Sequence, residues 1–112
     1  MRGKVVLLPF PFDDLASTKI RPALCLTDRI GQHRHVVVAF ISSVVPSPLT
    51  STDVLLDPSD PDFAVTGLRV RSVIRLHRLM TVSTAVIRRE LGELSPRQMT
   101  IVDQCVRQLF GL

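Results

Sequence analysis

Two short motifs in the sequence carry side chains suited to chemistry on a phosphate group. Arg21 stands between a polar segment and an apolar one, and Pro22 restricts the backbone beside it. Ser42 and Ser43 follow the most apolar stretch of the chain. A guanidinium beside a hydroxyl can stabilise negative charge developing on phosphorus. RNA carries its own nucleophile, the 2′-hydroxyl, so such a site needs neither a metal nor a covalent nucleophile. The simpler interpretation of Arg21 is a surface ion pair with a nearby aspartate.

The sequence contains none of the common metal or nucleotide motifs. The three histidines, His33, His35 and His77, have no cysteine or acidic cluster at zinc-ligand spacing. The acids between Asp57 and Asp62 lack the glycine and the final glutamate of a calcium loop. No Gly-rich phosphate loop and no GxSxG turn occur. We therefore expect no metal and no cofactor.

The charge of the chain favours an anionic partner. The net charge is +4, and twelve of the fourteen cationic residues are arginines. The isoelectric point is about 10.0, and the arginine fork matches the oxygens of a phosphate. Nucleic acid is the first candidate. The alternative is that the charge serves only solubility.

The size and the apolar content predict one globular domain over residues 1–112, since 46% of the residues are hydrophobic. The apolar run after Lys4 stops at Pro9, which is too short for a signal peptide or a membrane span. We therefore expect a cytoplasmic protein that does not enter a membrane. Cys25 and Cys105 lie in apolar patterns and are expected to be reduced and buried.

Short β-favouring runs dominate the chain, and one helix closes it. Strands are predicted at residues 5–8, 23–27, 35–41, 53–56, 68–76 and 80–82, with one helical turn at residues 83–86. We expect Gly92 to end a local element. Ser95, Pro96 and Gln98 begin the terminal helix, and Gly111 stops it. This pattern predicts a mainly β fold, a small barrel or strongly bent sheet with the helix packed on it.

Several segments together resemble the MazF/PemK family of toxins. The first is VVLLPFPFDDL at residues 5–15, followed by STKIRPAL at residues 17–24. The apolar strand VVVAFISS at residues 36–43 resembles the second family motif, and SVIRLHRLMTV at residues 72–82 resembles the third. Leu91 to Ser95 and the closing helix also fit, so the resemblance covers nearly the whole chain.

The resemblance implies an SH3-like β-barrel with a C-terminal helix, acting as a homodimer. It implies metal-independent cleavage of single-stranded RNA at short sequences. Arg21 matches the catalytic arginine, which acts in proton transfer or charge stabilisation, and Ser42 matches the catalytic threonine or serine. A cognate antitoxin is implied, with operator DNA as a further partner through that antitoxin. We expect five residues to contact RNA: Ser17, Lys19, Ser43, Arg69 and Arg71.

Three departures from the family pattern leave alternatives open. Lys4 and His77 stand where the family usually has aspartate, and Ser42 stands where threonine is common. The first alternative is a degenerate barrel that binds RNA, or DNA together with an antitoxin, without cleavage. The second is a structural dimer module with no nucleic-acid role, which the arginine excess argues against.

Overall fold

The computed structural model describes residues 1–10 and 19–112. In this part of the chain six β-strands form one antiparallel sheet in the order β4-β5-β3-β2-β1-β6, which curls into a half-barrel. The strands are β1 (Lys4–Phe10), β2 (Lys19–Cys25), β3 (His35–Ser42), β4 (Asp53–Leu56), β5 (Ser72–Ser83) and β6 (Arg89–Glu93), and the helix is α1 (Pro96–Phe110). The predicted mainly β fold with a C-terminal helix is confirmed.

The sheet buries apolar side chains on both of its faces. On the side covered by α1, here called the helix face, strand residues such as Leu24, Ile41 and Ile74 pack against Met99 and Val102 of the helix. The opposite side, here called the Ser42 face, carries a second cluster. Its buried members are Val6, Leu8, Phe10, Ala23, Cys25, Val36, Val38 and Phe40. Burial on both faces explains why β3 is continuously apolar in sequence.

The helix begins where the sequence indicates. The Ser95 hydroxyl accepts a hydrogen bond from the Gln98 N–H, and the Gln98 side chain accepts one from the Ser95 N–H, which completes a capping box. Gly111 closes the helix in the left-handed conformation, with φ of 70°. Arg97 in the first turn binds Asp60 and Asp62, which fixes the segment before β5 against the helix.

Four strand predictions are corrected. β2 runs from Lys19 to Cys25 rather than over residues 23–27, because its first half pairs with β1. β1 continues through Pro9 to Phe10, because β6 pairs only as far as Leu7 and the missing N–H of Pro9 costs no bond on that side. The segment 72–83 is one bulged strand rather than the end of one strand and a second short one, and residues 68–71 precede it. Gly92 lies inside a further strand, β6, rather than at the end of an element.

The cysteines are free thiols. Cys25 is buried as predicted, whereas Cys105 of α1 is half-buried, because it packs only against the edge of the helix-face core. Burial raises the pKa of the Cys25 thiol to about 11.

Among the residues described, no helix combines the length and the apolar character that crossing a membrane requires.

Candidate active site

Arg21 and Ser42 lie on neighbouring strands of the sheet. β2 and β3 pair Ala23 with Phe40 and Cys25 with Val38. The pairing ends at Ala23 and Phe40, and the same register continued by two residues would set Arg21 across from Ser42. Paired residues of an antiparallel sheet point to the same face, so both side chains belong to the Ser42 face. The two residues that sequence reasoning selected separately thus belong to the same face of neighbouring strands.

The Ser42 hydroxyl is held by the backbone that follows it. Ser42 is the last residue of β3, where the strand opens into the loop 43–52, and it is half-buried. Its Oγ accepts a hydrogen bond from the Val44 N–H at 3.0 Å. A hydroxyl carries one donor besides its acceptor positions, so Ser42 can accept from Val44 and still donate its hydrogen to a ligand oxygen.

A second arginine lies on the other side of Ser42. β5 pairs Val73 with Ser42 and Arg75 with Phe40, so Arg75 is a diagonal neighbour of Ser42 on the same face. Such neighbours have Cα atoms ~7–8 Å apart, within reach of long side chains. Ser42 therefore stands between two strands that each carry an arginine, Arg21 on β2 and Arg75 on β5.

Asp53 holds Arg75 and the loop after Ser42 together. Its Oδ1 lies 2.6 Å from Arg75 Nε, and the Asp53 side chain is fully covered while that of Arg75 is 22% exposed. Its Oδ2 accepts hydrogen bonds from the N–H and the hydroxyl of Thr50, both at 2.8 Å. Burial raises the pKa of Asp53, but the Thr50 hydrogen bonds and the Arg75 charge lower it by more, so it lies below its ordinary value. Asp53 is therefore held as a carboxylate.

The middle of the Ser42 face carries an aromatic pair topped by a cation. The rings of Phe10 and Phe40 meet edge to face with centroids 5.3 Å apart. The Arg78 guanidinium carbon lies 5.0 Å from the Phe40 ring centre, a cation–π distance. Both rings are only 6% exposed, so they act mainly as core and as a support for Arg78.

A bulge in β5 brings Arg78 and His77 to their positions. The consecutive β3 residues Ala39 and Phe40 face Leu79 and Arg75, so three residues of β5 have no partner on β3. His77 lies in this bulge, and its Nδ1 shares a hydrogen bond of 2.9 Å with Thr52 Oγ1. The loop 43–52 is thereby anchored to β5 through Thr52 as well as through Asp53.

The predicted RNA-contacting residues do not all lie together. Lys19 and Ser43 are exposed at the end of the sheet where Arg21 and Ser42 lie. Arg71 is near the same end, just before β5, and its Nε is 3.5 Å from Asp57. Arg69 instead lines a cavity of about 300 Å³ with Leu7, Leu91 and Arg89, next to the helix-face core. Ser17 lies outside the described residues.

Sequence reasoning missed Asp53, Arg75 and Arg78. Asp53 and Arg75 are far apart in the chain and meet only because β4 pairs with β5. The one available signal was the alternation of arginines with apolar residues between Leu68 and Leu76, which marks Arg75 as a strand residue without naming its partner. No three His, Cys, Asp or Glu side chains within residues 1–10 and 19–112 are grouped as metal ligands.

Comparison with known proteins gives a consistent set of relatives. Residues 1–110 match the family described as PemK-like, MazF-like toxin of type II toxin–antitoxin systems. Comparison with curated protein sequences gives no match.

Solved structures with the same fold include the toxin MazF-mt6 of Mycobacterium tuberculosis, with TM-score 0.74, 24% identity and 97% of each chain covered. A mycobacterial endoribonuclease in complex with its cognate antitoxin has TM-score 0.72 and 21% identity, covering 100% of this chain and 95% of that one. The MazE-MazF structure (Form-III) from Deinococcus radiodurans has TM-score 0.74 and 19% identity, covering 99% and 95%. At these identities the structures establish the fold.

Proposed function

The chain belongs to the PemK-like, MazF-like toxin family of type II toxin–antitoxin systems, and we propose that it is a metal-independent endoribonuclease cleaving single-stranded RNA. The family's members are endoribonucleases. The observation that supports the proposal for this chain is that Arg21 and Ser42 belong to the same face of the neighbouring strands β2 and β3, in a register that would set them opposite each other if it continued. The arginine excess supports an RNA substrate.

In the proposed reaction the RNA 2′-oxygen attacks the adjacent phosphorus and loses its proton. The bond between phosphorus and the 5′-oxygen breaks, and that oxygen gains a proton. The products are a 2′,3′-cyclic phosphate and a 5′-hydroxyl end. Arg21 stabilises the negative charge that grows on the phosphoryl oxygens. Of its two possible roles, this one is expected to contribute more than proton transfer. Ser42 donates its hydroxyl hydrogen to the same phosphate, because its oxygen already accepts from Val44.

Arg75 is the second cation of the proposed site. Its guanidinium is oriented by Asp53 and reaches the surface beside Ser42. We propose that its remaining N–H groups bind the phosphate from the side opposite Arg21, so that the two arginines flank the reacting group. Arg75 thus positions the phosphate and shares in neutralising it.

Around this centre we propose RNA contacts by Lys19 and Ser43, which are exposed at the same end of the sheet. Arg71 joins them if RNA displaces its long contact with Asp57. Arg69 lines the cavity next to the helix-face core. It would contact RNA only where the RNA passes around the edge of the sheet. Ser17, which lies outside the described residues, stays a proposed contact.

For the partners we propose a homodimer and a cognate antitoxin, with operator DNA bound through the antitoxin. The support is that related structures include an endoribonuclease with its cognate antitoxin and a MazE-MazF structure. We also propose a cytoplasmic location and a single domain over residues 1–112.

The test is cleavage of a long single-stranded RNA in the presence of a chelator, followed by mapping of the ends. We expect 2′,3′-cyclic phosphate ends, and Arg21→Ala should lower the rate at least about 100-fold. Arg107→Ala, on the last turn of α1, removes the same charge and should keep the wild-type rate. Full activity of Arg21→Ala with an unchanged melting temperature would refute the role of Arg21. Salt-sensitive RNA binding without turnover would instead identify a degenerate, RNA-binding barrel.

A further inference from the structure

A second cationic site lies at the turn between β2 and β3. An open cavity of about 510 Å³ is lined there by Arg29, His33 and Arg34, here called the hairpin cluster. The hydroxyl residues Ser83 and Thr84 complete its polar wall, and no acidic residue of the described part of the chain lines it. Within the described part of the chain the side chains of Arg29 and Arg34 form no ion pair.

The backbone of the turn holds this cluster in place. Arg34 has φ of 53°, a left-handed conformation that arginine rarely adopts. Its N–H donates to the Gly31 carbonyl at 3.1 Å, and its carbonyl accepts from the Thr84 N–H at 3.0 Å. Ile30 and His35 close the turn with a pair of hydrogen bonds. The turn is thus fixed to the end of β5, and the Arg34 side chain starts from a constrained position.

The cavity borders the same face of the sheet as the proposed active site. Met1 and Ile87 line it and also pack against the Ser42-face cluster. β3 joins the two regions, since His35 begins the strand and Ser42 ends it. At ~3.3 Å per residue the two ends are about 23 Å apart. Arg78 on Phe40 supplies a further cation between them.

We propose that the hairpin cluster binds backbone phosphates of single-stranded RNA outside the cleaved bond. This inference rests on the proposed endoribonuclease function. OB-fold barrels bind single strands over ~4–16 nucleotides along cationic grooves, and a track from Ser42 to the hairpin cluster is a cationic path of the kind that a single strand can follow. The cluster adds affinity for long RNA and takes no part in the chemical step.

The experiment measures binding of RNA blocked by 2′-O-methyl groups, as a 6-mer with the cleaved bond at its centre and a 16-mer with the same cleavage sequence, at several salt concentrations. The protein is the full chain as wild type and as Arg29→Gln/Arg34→Gln. Each phosphate contact contributes about 0.7 to the slope of log affinity against log salt. The double variant should therefore lose about 1.4 from the slope for the 16-mer and keep the wild-type slope for the 6-mer.

Arg107→Gln is the matched control, because it removes one exposed charge at the end of α1. If the double variant loses no more than twice the control's change, the effect is one of net charge and the inference is overturned. Arg29→Lys/Arg34→Lys keeps the charges and should restore most of the slope, which separates charge loss from misfolding.

Failure of the inference and of the proposed function give different results. If wild type neither binds nor cleaves RNA, both are overturned. If wild type cleaves the unblocked 6-mer and the double variant binds the 16-mer as the control does, only the hairpin-cluster inference fails. The inference predicts that the double variant cleaves the 6-mer at the wild-type rate.

Discussion

Replacing Asp53 by asparagine tests how the proposed site is held together. The Asp53 carboxylate contacts Arg75 with one oxygen and both polar groups of Thr50 with the other. Asparagine keeps the shape but removes the charge and turns one oxygen into an NH₂ donor. With Thr50 keeping the remaining oxygen, the amide would present donors to the donors of Arg75. Arg75 would then lose its anchor.

The expected cost follows from the burial of the pair. Removing one partner of a wholly buried ion pair costs ~3–5 kcal/mol. The Asp53 side chain is covered, but the Arg75 side chain is 22% exposed. Water can therefore solvate part of the Arg75 charge when Asp53 is replaced, which lowers the cost. We therefore expect Asp53→Asn to lower the free energy of unfolding by about 2 kcal/mol. At ~4 °C per kcal/mol for a chain of this size, the melting temperature should fall by about 8 °C.

The loss should depend on pH with a definite sign. The pKa of Asp53 is lower in the folded protein than its ordinary value. Its stabilisation is therefore complete above the unfolded pKa of ~3.9 and is lost as the pH falls through the folded pKa. The wild type should lose its advantage over Asp53→Asn below about pH 4, whereas the difference should be constant between about pH 5 and 8.

Urea denaturation followed by circular dichroism at pH 7, 5, 4 and 3 (about one unit apart around the carboxylate range) measures both effects. Asp103→Asn is the matched control, because Asp103 pairs with Arg2 across the surface, where the side chains are 51% and 41% exposed. Exposed pairs contribute ~0–1 kcal/mol. If Asp53→Asn destabilises the protein no more than Asp103→Asn at pH 7, the reasoning about the Asp53 anchor is refuted.

Two further predictions concern the packing at a glycine and the burial of a cysteine. Gly67 and Gly31 have similar φ angles of 75° and 70°, but an added Cβ would collide with the Leu91 carbonyl at Gly67 and meet nothing at Gly31. Gly67→Ala should therefore lower the free energy of unfolding by about 1–3 kcal/mol more than Gly31→Ala does, and equal thermal shifts would contradict the close approach of residue 67 to β6. Burial raises the pKa of Cys25 to about 11, so at pH 8 its thiolate fraction should be about 100-fold below that of an ordinary thiol. Alkylation by iodoacetamide, followed by mass spectrometry, should be correspondingly slow in the folded protein, and equal rates in folded and urea-unfolded protein would disprove the burial.

The parts of the fold that could be predicted are those fixed by neighbours in sequence. The capping box of Ser95 and Gln98, the stop at Gly111 and the position of β4 all depend on short patterns. β3 was predictable because residues buried on both faces give an unbroken apolar run. Arg21 and Ser42 could be selected as chemically suitable for the same reason, since each ends or begins an apolar segment.

The parts that could not be predicted depend on strand pairing. The bulge in β5 breaks the alternation of the strand, so its two halves appear as separate elements in the sequence. β6 is half polar and exposed, and its place beside β1 is fixed by partners such as Lys4 rather than by apolar side chains. The contact between Asp53 and Arg75 needs the β4–β5 register, which no local pattern contains.

The same geometry explains how the two charge-changing departures from the family pattern are accommodated. Lys4 begins β1, and Arg21 pairs near that strand's other end, with Leu8. The Lys4 Nζ lies 3.0 Å from Glu90 and 3.5 Å from Glu93, so two carboxylates of β6 balance the added positive charge. The hydrogen bond to Glu90, followed by the charges of both glutamates, raises the pKa of Lys4. His77 is closer to the proposed chemistry, because through Thr52 it holds the loop that begins after Ser42. Any effect of these departures on cleavage should therefore come from His77 and the position of that loop, while Lys4 acts on the β1–β6 edge.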